Sequence, residues 1–212
     1  MEMVTPSSPF MTRAVFAAVC LLGALASFGG DLRATGAAEP AQGASFAFRL
    51  ADSSGAIHTE RELKQTAAAV LFFVTPDCPI SQGYVPEMNR IAEAYRSRGI
   101  AFFAVQADLT ASDAEVRRHV TEYGYRFPVL LDARQQLVRR TGATVTPEAV
   151  VITPSGSVLY QGRIDNRIVS LGTKRPQATE FDLRNALDAV LAHRPIVHPR
   201  TTAYGCLISR AS

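Results

Sequence analysis

Apolar and polar positions change rhythm several times along this chain, and each change marks an element. Phe46, Phe48 and Leu50 alternate with other residues, Ser53-Ser54-Gly55 makes a turn, and Ile57 resumes the pattern. That combination predicts a hairpin. Residues 69–74 form an unbroken apolar run, as a strand buried on both faces requires. The loop 75–81 then leads into a helix reaching about Arg98, with Val85, Met88, Ala92 and Tyr95 at helical spacing. Residues 100–105 are a second buried strand. Ser112-Asp113-Ala114-Glu115 is a capping box that opens a helix with Val116, Val120 and Tyr123 on one face.

Further on, residues 127–131 are short and strand-like, Asp132 is placed to cap a brief helix, and Gly142 ends it. Residues 149–153, the turn 154–157 and residues 158–161 read as strand, turn, strand. Thr179 with Asp182 is expected to open a last helix that turns Leu183, Leu187, Val190 and Leu191 inward. Beyond Pro195 no periodicity remains. Strands separated by helices need parallel crossovers, and the late hairpin adds antiparallel edges. The expected class is α/β: a mixed central sheet flanked by helices, with an N-terminal hairpin extension.

The first residues do not read as part of this fold. Arg13 precedes a short apolar stretch, residues 14–28, and Ala24-Leu25-Ala26 offers small residues where a signal peptidase cuts. The expected organisation is a signal peptide over 1–26, with cleavage after 26 or 38, and a flexible Ala/Gly-rich segment over 27–43. The domain follows over 44–195, and a tail over 196–212 carries Cys206. An uncleaved leader would anchor the chain to a membrane. A lipid-attachment reading of Cys20 is poor, because Ala17-Ala18-Val19 does not suit it. The expected location is outside the cytoplasm, in a bacterial periplasm or its equivalent. Removing the leader leaves Cys78 and Cys206, an even pair compatible with a disulfide in an oxidising compartment.

Composition adds little beyond exclusion. The 212 residues are 47% hydrophobic and 19% charged, with a net charge of +3. The only lysines are Lys64 and Lys174, and no basic run with interleaved aromatics marks a nucleic-acid surface. Nucleic acid is therefore set aside as a partner.

The chemistry concentrates in Phe73-Val-Thr75-Pro-Asp-Cys78-Pro-Ile-Ser81, where a buried strand hands over to a helix. Unpaired amides at a helix start favour the thiolate over the thiol, which lowers a cysteine pKa below ~8.5. Pro79 fits the first helical turn, where no donor is needed. Taken alone, Cys78 is equally compatible with a small buried hydrophobe.

The segment Cys78-Pro-Ile-Ser-Gln-Gly-Tyr-Val-Pro86 resembles the active-site helix of thioredoxins, and Gly142-Ala-Thr-Val-Thr146-Pro147-Glu-Ala-Val-Val-Ile152 resembles their cis-proline segment. Ser155-Gly156 and Gly162 match the turn and glycine that follow. The chain as a whole, over about 44–193, is most similar to the redoxin (AhpC/TSA-related) branch of exported thioredoxin-like proteins, some of which pair Asp-Cys-Pro-Ile-Ser with a C-terminal Gly-Cys. The resemblance implies thiol redox chemistry with Cys78 as nucleophile and a thiol, disulfide or peroxide substrate, protein or small molecule. It implies Thr146 and cis-Pro147 as the place where an extended substrate pairs, and no cofactor.

Ser81 stands where thioredoxins carry their second cysteine, so the motif cannot cycle as a dithiol by itself. Cys206 is the candidate resolving thiol, with a structural disulfide that pins the tail as the alternative. Ser81 and Thr75 are expected to donate hydrogen bonds to the sulfur. Thr75 three residues before Cys78 also resembles the peroxiredoxin motif, but Leu71 replaces its proline. Arg163 and Arg167 are the arginines nearest to a peroxide-activating role, with Asp165 their expected partner. His58 and His119 read as solvated. His193 and His198, with Cys78 and Cys206, are a candidate Cu(I) set, although the Cys-x-x-x-Cys of copper chaperones of this fold is missing; no metal site is assigned.

Overall fold

A computed structural model describes residues 46–210, so the expected leader and the segment after it lie outside the described residues. The chain opens with a hairpin of β1 (Arg49–Ala51) and β2 (Ile57–Thr59), paired antiparallel, with Leu50 opposite His58. A single 3-10 turn, Glu60–Leu63, follows, closed by a capping box on Thr59 and Glu62. Then come β3 (Ala68–Val74), α1 (Pro79–Arg96), β4 (Ile100–Gln106), α2 (Asp113–Tyr123) and β5 (Val129–Leu131). α3 (Gln136–Thr141), β6 (Val145–Thr146), β7 (Glu148–Ile152) and β8 (Val158–Gly162) carry the chain on. β9 (Ile168–Ser170), β10 (Thr173–Lys174), α4 (Asp182–Leu191) and β11 (Cys206–Leu207) complete it.

The central sheet has the order β5-β4-β3-β7-β8, parallel from β3 to β5 and antiparallel through β7 and β8. That is the mixed α/β architecture expected from the sequence. The apolar run of β3 is buried at every position because the sheet is covered on both faces. Val70, Phe72 and Val74 enter the core that α1 and α4 supply with Met88, Tyr95, Leu183 and Leu187. Ala69, Leu71 and Phe73 face the opposite core, with Phe46, Phe48, Leu50, Leu137 and Ile208. The two-residue period of a strand thus divides one hydrophobic segment between two cores.

Local signals place some ends differently from the sequence reading. α1 begins at Pro79, with Cys78 itself at the N-cap position, rather than after a loop running to Ser81. The Ser112 capping box holds as read, with Glu115 bonded back to the Ser112 amide. Asp132 acts on α3 from a distance, because its carboxylate accepts from the amides of Gln136, Leu137 and Val138 while Gln135 sits at the N-cap. Thr179 does not cap α4, which starts after Phe181 without a side-chain cap. Instead the amides of Thr179 and Glu180 donate to Asn166 Oδ1.

Neither His58 nor His119 is solvated. His119 is buried against Tyr125, whose hydroxyl is 3.2 Å from Nε2, and burial holds its pKa below the ordinary value. His58 bridges Asp52 at 3.0 Å and Glu62 at 3.0 Å, tying the hairpin to the 3-10 turn. Burial disfavours its charged ring, but the bonds to Glu62 and Asp52 outweigh this and raise its pKa above 6.5. For Asp52, burial is outweighed by the hydrogen bonds from Ser54, His58 and Ala56, which bring its pKa below 3.8.

These directions set a pH window. The His58 contribution is complete below 6.5 and is lost as pH rises through the higher folded value. The Asp52 contribution is complete above 3.8 and is lost as pH falls through the lower folded value. These two contributions are therefore both complete only between these limits. In a Tm-against-pH series, His58→Asn should flatten the alkaline shoulder, and an unchanged slope would show that this pair contributes nothing.

Candidate active site

The register of the sheet builds the site. β7 pairs with β3 so that Glu148 lies opposite Phe73, which sets the two residues before β7 beside the loop that leaves β3. Those residues are Thr146 and Pro147, joined by a cis peptide bond as the motif implied. The loop carries Cys78, whose extended backbone (φ −89, ψ 106) precedes the first turn of α1. Its Sγ comes to rest 3.1 Å from the carbonyl oxygen of Thr146.

Cys206 arrives from the other end of the chain. β11 lies antiparallel to β6 with Cys206 opposite Thr146 and Leu207 opposite Val145. Cys78 and Cys206 form a disulfide across 128 positions of sequence, with Cα atoms 6.0 Å apart. The tail therefore occupies the backbone edge that the resemblance left free for an extended substrate.

Several contacts hold the tail there. The amide of Thr201 donates to Gln161 O, and the amide of Gln161 donates to Pro199 O. Thr201 Oγ1 meets Tyr160 Oη at 2.7 Å and accepts from the amide of Arg163. The amide of Ile208 donates to Thr144 O, and its side chain is buried in the second core. Gly205 is packed so closely on Thr146 that a Cβ would collide with that carbonyl group. Sequence reading gave Gly205 and Ile208 no separate role. The glycine before Cys206 was the visible signal, whereas Ile208 in a tail without periodicity offered none.

Of the predicted site residues, Cys78, Cys206, Thr75, Thr146 and Pro147 come together. The Thr75 hydroxyl does not reach the sulfur; it pairs with the Thr146 hydroxyl at 3.2 Å and braces the cis-proline loop. Ser81 is fully buried in the first turn of α1, and its Oγ makes no hydrogen bond to the sulfur or to any other group among the described residues. A disulfide sulfur is a weak acceptor, which leaves this hydroxyl without a strong partner.

The arginines lie elsewhere. Arg163 pairs with Asp182 and Glu180 rather than with Asp165. Arg167 stacks its guanidinium over the Tyr84 ring at 4.2 Å, while its amide donates to Asp165. Tyr84 Oη donates to the same carboxylate oxygen, Asp165 Oδ1, at 2.6 Å. Among the described residues no three His, Cys, Asp or Glu side chains are grouped so as to hold a metal ion, so His193, His198 and the two cysteines do not assemble as a ligand set. No described helix is long and apolar enough to cross a membrane.

This arrangement can support thiol–disulfide exchange, with two sulfurs bonded at a helix start and a backbone edge beside them. Comparison with known proteins finds similar sequences and similar folds. A thiol-disulfide oxidoreductase ResA from Bacillus thuringiensis is 29% identical over 114 residues, 54% of this chain and 64% of the relative; a Bacillus anthracis relative of the same name matches equally. The chain thus spans less than two thirds of the curated relatives it matches. A hypothetical protein of Sinorhizobium meliloti superposes with a TM-score of 0.67 at 26% identity, covering 79% of this chain and 93% of that one. A putative thiol:disulfide interchange protein DsbE from Chlorobium tepidum shares the fold at a TM-score of 0.53 and 20% identity, covering 68% of this chain and 93% of its own. The AhpC/TSA family model matches residues 42–161, a span that holds Cys78, Thr146 and Pro147 but stops short of Cys206. More than half of the sequence lies in that match, and the chain belongs to the AhpC/TSA family.

Proposed function

We propose that this protein is an exported thiol–disulfide oxidoreductase that works through the Cys78–Cys206 pair. The observation that carries the reading is the disulfide itself, set at the start of α1 beside the cis Thr146-Pro147 step. Breaking that bond leaves a thiolate on Cys78 next to the first-turn amides of α1, which have no carbonyl partner within the helix. Cys78 is the nucleophile that re-forms the bond with Cys206 when electrons pass to a disulfide substrate. The substrate class is a protein or small molecule carrying a thiol or a disulfide. An oxidising compartment suits a bonded pair, in keeping with the leader.

Turnover of a disulfide substrate by the purified chain tests this. Cys78→Ser is expected to abolish reduction of insulin by a thiol reductant, as is Cys206→Ser. Mass mapping without reductant should find Cys78 and Cys206 joined. Two free thiols in air-equilibrated protein, or undiminished turnover in either variant, would sink the reading.

A further inference from the structure

Only one of the two sulfurs is placed to meet a partner. Cys78 is 0% exposed: α1 lies beneath it, the Thr146 carbonyl lies 3.1 Å from its Sγ, and the tail covers it. Cys206 is partly exposed and sits on a two-residue edge strand, followed by Leu207, which is 81% exposed. A thiolate attacks a disulfide along the line of the S–S bond, from the side opposite the leaving sulfur, so access decides which sulfur is struck. Cys78 is fully buried, so no open approach reaches its sulfur. For Cys206 the line leads away from buried Cys78.

The geometry points to Cys206 as the sulfur that bonds covalently to the partner, with Cys78 as the internal leaving group and nucleophile. This rests on the exchange reading above and reverses the roles implied by thioredoxin resemblance, in which Cys78 bonds the partner and Cys206 resolves. In the balanced step, an external thiolate forms a new S–S bond to Cys206 Sγ while the Cys78–Cys206 bond breaks. The electron pair leaves on Cys78 Sγ. A second external thiol, or the second thiol of a dithiol partner, then attacks the partner's own sulfur in the mixed disulfide and releases Cys206 as thiolate. In the opposite direction, the Cys206 thiolate attacks a substrate disulfide and expels one substrate thiolate. The Cys78 thiolate then attacks Cys206 Sγ, re-forms the internal bond and expels the other.

Leaving-group chemistry favours the same assignment. A sulfur whose anion is stabilised departs faster, and the first-turn amides of α1 lie beside Cys78. Cys206 lies in a strand and caps no helix, so its sulfur is one bond further from the α1 amides than that of Cys78. The two cysteines thus differ in both properties that govern exchange, and both differences direct the incoming thiol to Cys206.

Brief exposure of the oxidised chain to glutathione, with acid quench, alkylation and peptide mapping, tests this directly. The early adduct is expected on Cys206, about tenfold over Cys78, with Cys78 appearing as the newly alkylated thiol. An adduct shared evenly, or carried mainly by Cys78, overturns the assignment. A second measurement uses oxidised insulin as the trapping partner. Cys78→Ser should accumulate the mixed disulfide, because the internal nucleophile is gone, and accumulation in Cys206→Ser instead would overturn the inference. If adducts fall on Cys78 while turnover persists, only this assignment fails. If no adduct forms on either cysteine and glutathione leaves the bond intact, the exchange reading fails with it.

Discussion

Reduction of the Cys78–Cys206 bond should lower the stability of the fold by about 3–5 kcal/mol. The two cysteines are 128 positions apart, so the bond closes most of the described domain into one loop. An unfolded chain cross-linked over that distance loses a large share of its freedom, and the chain-entropy account gives about 4.7 kcal/mol for a loop of ~100 residues. Residual contacts in the unfolded chain reduce that figure, which sets the lower end of the range. Native contacts of the tail, including buried Ile208 and the Thr201 bonds to Tyr160 and Arg163, remain available after reduction and are not part of this difference. Urea unfolding of the oxidised and reduced chains, read by the same probe, gives the comparison. A difference below about 1 kcal/mol would mean that the bond barely restricts the unfolded chain, against the loop argument.

Much of this molecule was readable in its sequence, and what was not has identifiable causes. β3 and β4 announced themselves because strands buried on both faces read as nearly continuous apolar runs. The Cys78 and Thr146-Pro147 motifs were legible as local strings, and the register of β7 against β3 brings them together. β6 and β11 were invisible, since a two-residue strand has no period to detect. The N-terminal end of α4 was misread because the real partner of Thr179, Asn166, lies 13 positions away in sequence. His58 looked like a surface histidine until the hairpin brought Asp52 to one ring nitrogen and the 3-10 turn brought Glu62 to the other. At the site, Thr75 was assigned to the sulfur by analogy, whereas the Thr146 hydroxyl claims it. Short-range signals thus placed the reactive cysteine, while the role of Thr75 and the covering tail came from contacts long in sequence.

Gly205→Ala should release the tail from the site. The position has no unusual backbone angle; what it lacks is room, because a Cβ there would strike the carbonyl carbon and oxygen of Thr146. Those atoms belong to backbone fixed by the pairing of Cys206 with Thr146, so no side-chain rotation relieves the collision. Overpacking of this kind destabilises by about 1–3 kcal/mol. Here the strain falls on the docked tail, and the disulfide must bear it or the strand must lift. Glutathione should therefore reduce the variant about tenfold faster than the parent chain, the change that roughly 1.4 kcal/mol produces. In the reduced variant, Cys78 should also become more open to alkylation, because the tail paired along Thr146 is part of its cover. Leu207→Ala is the matched control, since that residue is 81% exposed and lies two positions further along the same tail. It should leave both rates near the parent value. If Gly205→Ala and Leu207→Ala behave alike, close packing on Thr146 is not what seats the tail, and the shielding of Cys78 needs another cause.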